Sequence, residues 1–295
     1  MKKTKLLFGA HMSTEGGLHT AFERGFFIKC STIQIFTKNN RQWHVKQLSE
    51  EEIKKFKEAQ VQFSSINPVV AHAAYLINLA SDSPSVRKQS ITALYQEIIR
   101  CEQLEIPILI LHPGSHGTLT NKDGINYLVE GINEAQEKTK KTTFIALETM
   151  AGQGTSLGSS FEELATIREQ SHNKKNIKVC FDTCHVFTAG YPLHEPAHYE
   201  TLWRKFEETI GLKNLATIHI NDSKKEFNSH VDRHENIGKG KIGFTFFEQL
   251  FNDERFFDIP KILETPKTSL HDDLENMIAI KKLISPKNKE VLQMN

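Results

Sequence analysis

Short apolar runs recur along the 295-residue chain, and longer stretches of mixed polar and apolar residues separate them. None of the runs alternates cleanly, which is typical of strands buried on both faces. The stretches between them suit amphipathic helices, and Ser49 followed by Glu52 indicates a capping box at the start of one helix. The predicted strands are KLLFGAH (5–11), TIQIF (32–36), PVVAH (68–72), IPILILH (106–112), TTFIALE (142–148), IKVCFD (177–182), LATIHI (215–220) and IPKILE (259–264), and the clearest predicted helices are SEEEIKKFKEAQ (49–60), PSVRKQSITALYQEIIRCEQL (84–104) and FTFFEQLF (244–251).

The number and order of these elements predict a fold class. Strands that alternate with helices imply parallel β-α units, and eight such units close a (β/α)8 barrel. The chain length suits one barrel, and no linker divides it. We therefore expect an α/β protein of the TIM-barrel type, with a single barrel domain over residues 1–285 and a polar C-terminal tail over residues 286–295.

The candidate metal ligands and acid-base groups lie at the ends of the predicted strands. Seven of the eight runs end on an imidazole or a carboxylate, or have one next to the last residue. The C-terminal ends of barrel strands converge on one face, where barrel enzymes keep their active sites. So many of these groups in one place would repel one another or stay unsatisfied unless metal ions neutralised them. The residues are His11, His72, His112, Glu148, Asp182, His219 and Glu264.

The type of ligand narrows the chemistry. Imidazole and carboxylate without thiolate favour zinc, manganese or iron in an open site. Cys180 and Cys184 lack the C-x-x-C spacing of a zinc or redox pair, and we interpret them as packing residues. Sites with two or three ions stabilise both oxygens of an in-line phosphoryl displacement, which points to phosphodiester hydrolysis. Metal-dependent sugar isomerases use the same barrel, so the pattern leaves both reactions open.

Composition limits the partners and the compartment. The net charge of +1 provides no global basic field, so a DNA partner would have to bind at a local patch. Four cysteines in a chain of this length do not make a disulfide framework, which favours the cytoplasm. The first apolar run is too short for a signal-peptide core, and no stretch approaches a membrane span. We expect a monomer that uses neither a membrane nor a nucleotide cofactor.

Longer sequence blocks recur along nearly the whole chain. They are GAHMSTEGGL (9–18), IFTKNNRQW (35–43), AHAAYLINLAS (71–81), LHPGSHG (111–117), LETMAGQGTSLG (147–158), FDTCHVFTAGY (181–191), HINDSK (219–224), HVDRHENIGKGKIG (230–243) and ILETP (262–266). In this order the blocks resemble the endonuclease IV family of apurinic/apyrimidinic endonucleases, within the xylose-isomerase-like TIM barrels. Motifs of this length are specific. The departures from the family pattern, at Ala73–Ala74 and at Met150, replace no ligand.

The resemblance implies a zinc-dependent DNA repair endonuclease of base excision repair. Such an enzyme hydrolyses the phosphodiester 5′ to an abasic site in duplex DNA, leaves a 3′-hydroxyl and a 5′-deoxyribose phosphate, and clears blocked 3′ ends. Three zinc ions are implied, with manganese as an alternative in part of the site. The implied ligands are His72 and His112 for the first ion, Glu148 as a bridge to the second, Asp182, His219 and Glu264 for the second, and His185, Asp232 and His234 for the third.

The resemblance also implies roles in catalysis and in DNA binding. Glu148 and Glu264 are the implied catalytic carboxylates, and Glu264 is also a candidate for handling the proton of the attacking water. Arg41, Tyr75 and Leu76 match the residues that insert into the duplex at the lesion. The alternatives are a plain phosphate contact for Arg41 and core packing for the other two. The matching blocks also contain three residues whose roles stay open, His11, His116 and Lys239.

Three hypotheses therefore stand. The chain is an abasic-site nuclease, a sugar isomerase or epimerase of a related barrel type, or a metal-bound DNA-binding or scaffold protein without catalysis. The loops that carry Arg41 and Tyr75–Leu76, and the D-x-H pair of Asp232 and His234, favour the nuclease over the isomerase. The complete ligand set disfavours the non-catalytic protein.

Overall fold

The structure is a computed structural model that describes residues 5–43 and 46–293. Its strands are β1 (Phe8–His11), β2 (Thr32–Phe36), β3 (Val69–His72), β4 (Ile108–Leu111), β5 (Phe144–Glu148), β6 (Ile177–Asp182), β7 (Leu215–His219), β8 (Asp222–Ser223), β9 (His234–Glu235) and β10 (Lys261–Leu263). Its α-helices are α1 (Thr20–Phe27), α2 (Glu50–Gln62), α3 (Pro84–Leu104), α4 (Asn121–Gln136), α5 (Phe161–Gln170), α6 (Thr183–Thr188), α7 (Tyr199–Thr209), α8 (Phe244–Asn252), α9 (Leu270–Leu283) and α10 (Pro286–Gln293).

Eight of the strands form a closed parallel barrel in the order β1, β10, β7, β6, β5, β4, β3, β2. The barrel closes where β1 pairs with both β2 and β10. Every predicted apolar run contains one barrel strand, and the predicted α/β TIM-barrel fold is confirmed. The helix predictions also hold, since α3 spans residues 84–104 and Ser49 caps α2 in a capping box with Glu52.

Two features were not indicated by the sequence pattern. The short strands β8 and β9 pair antiparallel, with Ser223 opposite His234. Residues 286–293 form α10, in which Asn288 is buried and donates from Nδ2 to Asn252 Oδ1 at 3.1 Å. The start of the predicted polar tail is therefore helical and packed, while the domain boundary at residue 285 stays a prediction.

The apolar core has two layers, one inside the barrel and one between the barrel and its helices. The inner layer is small and contains Val70, Ile108, Ile110, Ala146 and Cys180. The outer layer is larger and rich in aromatic rings, such as the Phe181–Trp203 pair with centroids 4.8 Å apart. Large side chains thus fill the outer layer, and the interior below the barrel mouth is closed by small and branched ones.

Within residues 5–43 and 46–293, no helix has the length and apolar character needed to cross a membrane.

Lys261, at the start of β10, gives a test of the fold's electrostatics. The side chain is fully buried, and its Nζ donates to the carbonyl oxygens of Phe256 and Ile259. Burial lowers the pKa of Lys261 to about 7, whereas the unfolded chain has the ordinary value of roughly 10.4. Between these two pKa values the unfolded state binds more protons than the folded state. The contribution of Lys261 to the free energy of unfolding is therefore most favourable above the pKa of the unfolded state, and it is lost as pH falls towards the pKa of the folded state.

We expect Lys261→Met to remove this pH dependence. Denaturant unfolding at about pH 7 and about pH 9 should show that the wild type gains stability with pH relative to the variant. Lys54→Met, at an exposed position of α2, is the control and should keep the wild-type dependence. Parallel pH profiles for the wild type and Lys261→Met would show that this amine stays charged in the folded protein.

Candidate metal centre

The alternation of side chains along the barrel strands brings the candidate ligands together. Cys180 belongs to the inner layer, so Asp182, two residues later on β6, also points into the barrel. The same step links Ala146 to Glu148 on β5. By the same count β3 ends on His72 facing inward. The strand ends therefore line the mouth of the barrel with imidazoles and carboxylates, as the sequence predicts.

The first ligand group contains His72, His112 and Glu148, whose ligand atoms all lie within 4.8 Å of one another. Glu148 Oε2 is 3.2 Å from His72 Nε2 and 3.1 Å from His112 Nε2. Glu148 and His72 are buried, and the His112 side chain is 25% exposed. This group is therefore open to solvent on the His112 side.

The second ligand group contains Glu148, Asp182, His219 and Glu264. His219 Nδ1 lies 3.1 Å from Glu148 Oε1, 3.2 Å from Glu264 Oε2 and 3.7 Å from Asp182 Oδ2. Glu148 thus offers Oε1 to this group and Oε2 to the first. This is the arrangement of a carboxylate that bridges two cations.

The third ligand group contains His185, Asp232 and His234. Asp232 Oδ2 lies 3.2 Å from His185 Nε2, and Asp232 Oδ1 lies 3.3 Å from His234 Nε2. The hairpin of β8 and β9 returns His234 to the barrel mouth, where its Nε2 is 3.7 Å from Asp182 Oδ2. The third group therefore adjoins the second.

Three of the imidazoles fit metal ligation because each has one nitrogen held by a hydrogen bond outside the ligand groups. Nδ1 faces a backbone carbonyl oxygen in His72 (Ala73, 2.7 Å), in His185 (Thr149, 2.9 Å) and in His234 (Glu264, 3.0 Å). A carbonyl only accepts, so Nδ1 is the donor and Nε2 is the atom that faces the ligand group. The Nε2 atoms of His185 and His234 are buried, and although Asp232 oxygens lie 3.2 and 3.3 Å away, neither nitrogen forms a hydrogen bond of acceptable geometry. Buried nitrogens that face a carboxylate without such a bond are consistent with ligation of an ion between them.

The electrostatics of the three groups also favour cations. Burial by itself raises the pKa of Glu148, but His219 and His112 hold this pKa well below its ordinary value. Burial lowers the pKa of His185, yet Asp182 and its neighbours raise it well above the ordinary value. The carboxylates thus demand positive charge from their surroundings. Metal ions on neutral imidazoles would supply this charge.

The spacing of Asp182 and His185 follows from the start of α6. Asp182 is the N-cap, and its Oδ1 accepts from the backbone N–H of His185 at 2.9 Å. The backbone N–H of Asp182 donates to Thr149 Oγ1 at 2.8 Å. One helical turn thus sends the Asp182 carboxylate to the second group and the His185 ring to the third.

Gln34 supports the second group from the middle of β2. Its Nε2 donates to Glu264 Oε1 at 2.6 Å, and its Oε1 lies 2.9 Å from His219 Nε2. Because a carboxylate only accepts, the amide nitrogen faces Glu264 and the amide oxygen faces His219. His219 Nε2 must then carry a proton, which leaves Nδ1 free for the second group.

Asn221 supports the same group from the other side. Its Nδ2 donates to Asp182 Oδ2 at 2.8 Å, and its Oδ1 accepts from the backbone N–H of Glu264 at 2.9 Å. Neither Gln34 nor Asn221 is among the site residues that the sequence predicts. A polar side chain inside the apolar run TIQIF was the signal for Gln34, and the position just after strand β7 was the signal for Asn221.

The residues implied in DNA binding lie on loops above the mouth. Tyr75 is 57% exposed, and its ring centroid is 5.3 Å from that of His72 and 5.5 Å from that of His112. Leu76 is half-buried, and Arg41 is exposed on the loop after β2. Tyr75 therefore borders the first group and does not have the burial of a core residue.

The three residues without an assigned role lie outside the ligand groups found among the described residues. His11 Nδ1 is 2.9 Å from Gln34 Nε2, and its ring packs against Phe36 with centroids 4.4 Å apart. His11 therefore contacts the support of a candidate ligand. His116 is tied through its backbone N–H to the Thr155 carbonyl at 3.1 Å, and Lys239 is exposed.

The two cysteines beside the site are free and buried. Cys180 Sγ lies within ligand range of Glu148 and His219, and Cys184 Sγ within range of Asp182 and His234. Burial raises the pKa of both thiols to about 12. Burial thus favours the protonated thiols, and Cys180 packs in the inner layer of the core, in line with their interpretation as packing residues.

Replacement of Gln34 tests the support of the second group. Gln34→Leu leaves Glu264 and His219 without their shared partner, and loss of such a support typically weakens metal binding about 10–100-fold. We expect zinc titration against a competing chelator to show a loss of this size. Thr217→Val is the matched control, because Thr217 is also buried in the barrel but its Oγ1 has no hydrogen-bond partner. Equal zinc affinity in the two variants would contradict the role of Gln34.

Comparisons with known proteins bear on the family. Residues 28–284 match the family model of the xylose isomerase-like TIM barrel. A protein of Geotalea daltonii named "Probable endonuclease 4" is 46% identical over 260 residues, which cover 88% of this chain and 91% of that protein. The crystal structure of endonuclease IV from Thermus thermophilus matches with a TM-score of 0.84 and 28% identity, covering 94% of this chain and 98% of the other.

The fold alone is shared more widely. The crystal structure of a D-tagatose 3-epimerase-like protein matches with a TM-score of 0.74 at 22% identity, covering 97% of this chain and 99% of the other. The Geotalea daltonii protein distinguishes the endonuclease 4 proteins from the epimerases that share this fold. Its identity to this chain is about twice that of the epimerase-like protein, and the match extends over most of both chains. The resemblance that the sequence blocks indicate is confirmed: the chain belongs to the endonuclease IV family of xylose isomerase-like TIM barrels.

Proposed function

We propose that this protein is a zinc-dependent endonuclease of base excision repair. It hydrolyses the phosphodiester 5′ to an abasic site in duplex DNA, leaves a 3′-hydroxyl and a 5′-deoxyribose phosphate, and clears blocked 3′ ends. The observation that carries the proposal is the set of three adjoining ligand groups, two of which share Glu148. The similarity to proteins named endonuclease 4 and endonuclease IV supports it.

The proposed ligands are the nine residues of these three groups, and zinc is the proposed metal, with manganese as an alternative in part of the site. When bound, the ions supply an activated water and neutralise charge on both oxygens of the phosphoryl displacement. Glu148 is fully buried, so its role is to bridge. The Glu264 side chain is 12% exposed and held by Gln34, so its carboxylate can take the proton of the attacking water.

Recognition of the lesion is proposed for the loops after β2 and β3. A nucleotide without a base flips out of the duplex at low cost, and side chains that enter the gap offset the unstacking. Tyr75 is exposed beside the first ligand group, and Arg41 is exposed on the neighbouring loop. Together with Leu76 they form the proposed wedge. The wedge enters the gap in the duplex, and the metal centre contacts the reacting phosphate.

The remaining parts of the proposal concern the state of the protein. A monomer suffices, because one chain supplies every proposed ligand. The four cysteines are buried and free, which suits a reducing cytoplasm.

The third ligand group favours the nuclease over a sugar isomerase, since an isomerase has no evident need for it.

An incision assay tests the function. Zinc-loaded protein is incubated with a duplex that contains one abasic analogue, and the new ends are identified. We expect one cut 5′ to the lesion, with a 3′ end that a DNA polymerase extends. Glu264→Gln keeps the shape of the side chain but removes its charge, so incision should fall by orders of magnitude.

Glu235→Gln is the matched control for Glu264→Gln, because Glu235 follows His234 directly but belongs to none of the three ligand groups. It should cut at the wild-type rate, and circular dichroism of all variants should match the wild type. No incision by the wild type, or a cut on the 3′ side, would exclude the proposed reaction. Wild-type activity in Glu264→Gln would exclude the assigned role of Glu264.

Replacement of the wedge separates recognition from chemistry. Arg41, Tyr75 and Leu76 changed together to Ala should cost a few kcal/mol of binding to abasic duplex, on the scale of the unstacking that they offset. Binding to undamaged duplex, which depends on phosphate contacts and salt, should change much less. Fluorescence anisotropy at fixed salt measures both, with a non-hydrolysable linkage at the scissile position. Equal losses on the two duplexes would identify ordinary backbone contacts, and zinc content should stay unchanged.

A further inference from the structure

A buried carboxylate on α3 contacts both loops of the proposed wedge. Glu97 is 1% exposed. Its Oε2 accepts from Thr37 Oγ1 at 2.6 Å, on the loop that follows β2. Its Oε1 accepts from the backbone N–H of Ala74 at 3.3 Å, on the loop that follows β3 and directly before Tyr75. One side chain therefore connects two loops that are separate in sequence.

A second contact extends from Glu97 towards Arg41. Lys38 Nζ lies 3.6 Å from Glu97 Oε1, and both side chains are almost fully buried. The same Nζ donates to the carbonyl oxygen of Gln42 at 2.9 Å, next to Arg41. Lys38 therefore joins Gln42, within the same loop, to the buried Glu97 carboxylate.

Arg100 completes this network from the next turn of α3. Its Nε donates to the Thr37 carbonyl at 3.1 Å, and its Nη1 donates to the Lys46 carbonyl at 3.0 Å. Burial raises the pKa of Glu97, but every polar contact of this side chain is with a donor or a cation, which opposes the rise and fits a charged carboxylate. Burial of such a network costs several kcal/mol per ion unless it is fully satisfied, and the ligand groups do not use it. The contacts of this network connect α3 to the loops that follow β2 and β3.

We propose that Glu97 is a positioning residue for lesion recognition, which fixes the loops after β2 and β3 relative to each other so that Arg41 and Tyr75 enter the same gap in the duplex. The proposal rests on the proposed function. It explains why ions are buried beneath two exposed loops, where apolar side chains would pack at lower cost. Loss of Glu97 should therefore affect the recognition of abasic DNA and leave the metal centre intact.

A double-mutant cycle tests this proposal. Binding of the zinc-loaded protein to abasic and undamaged duplexes, both with a non-hydrolysable linkage at the scissile position, is measured for Glu97→Gln, for Arg41→Ala with Tyr75→Ala, and for the combination. Glu97→Gln should lower affinity for abasic duplex on the order of tenfold, because Lys38 loses its charged partner. In the background without Arg41 and Tyr75 the same change should cost less than about twofold. A residue that acts only on global stability would give losses that multiply.

Hydrogen exchange provides a readout that does not involve DNA. In Glu97→Gln, amides of residues 37–43 and 73–76 should exchange faster, and those of β5 and β6 should not change. Thr37→Val removes one donor to Glu97 and is the milder variant if Glu97→Gln does not fold. Asp253→Asn is the control, because Asp253, like Glu97, pairs with a cation and accepts from a side-chain hydroxyl, here Arg255 and Tyr199, but its pairs lie outside both loops.

The outcomes distinguish this proposal from the proposed function. A wild type that binds both duplexes equally would overturn the proposed function and the role of Glu97 with it. A wild type that prefers abasic duplex, together with multiplicative losses in the cycle or unchanged exchange in both loops, would overturn the role of Glu97 alone. Asp253→Asn should change neither the preference nor the exchange of these loops.

Discussion

The buried charge of Glu148 is the constraint around which the barrel mouth is organised. This carboxylate is fully buried at the end of β5, where an unpaired charge would cost several kcal/mol. Its two oxygens face different imidazoles, with His72 on one side and His219 on the other. Those imidazoles in turn need fixed orientations, which the Ala73 carbonyl and Gln34 provide. The buried charge of Glu148 thus requires the two imidazoles beside it, and these imidazoles require the hydrogen bonds that orient them.

The fold separates the parts that need rigidity from the parts that meet the substrate. Most candidate ligands lie on or directly after barrel strands, whose positions are fixed by pairing on both sides and by packing on both faces. The proposed wedge residues lie on loops, which reach further from the barrel but need support from below. Glu97 offers that support through contacts with both loops. The loop after β3 joins the two parts, because it carries both the Ala73 carbonyl that orients His72 and the wedge residue Tyr75.

The sequence predicts the barrel and its ligand-bearing strand ends because both depend on local patterns. A run of buried residues defines each strand, and the period of two puts Asp182 on the face of Cys180 in β6 and Glu148 on the face of Ala146 in β5. Contacts between distant segments are not encoded this way: Gln34 meets Glu264 across 230 residues and His219 across 185. The hairpin of β8 and β9 has strands of two residues, too short for any periodicity. From the sequence alone, Glu97 is indistinguishable from an exposed glutamate on a helix, because its burial depends on loops that pack over it in the folded protein.

Anomalous diffraction at the zinc edge, from crystals of the purified protein, most directly examines whether these groups form a trinuclear metal centre. A trinuclear centre predicts three peaks, one in each ligand group, with two of them on either side of Glu148. His219 should bind through Nδ1, whereas His72, His185 and His234 should bind through Nε2, since hydrogen bonds occupy their other nitrogens. A single peak, no peak, or zinc bound to Nε2 of His219 would contradict this description of the site.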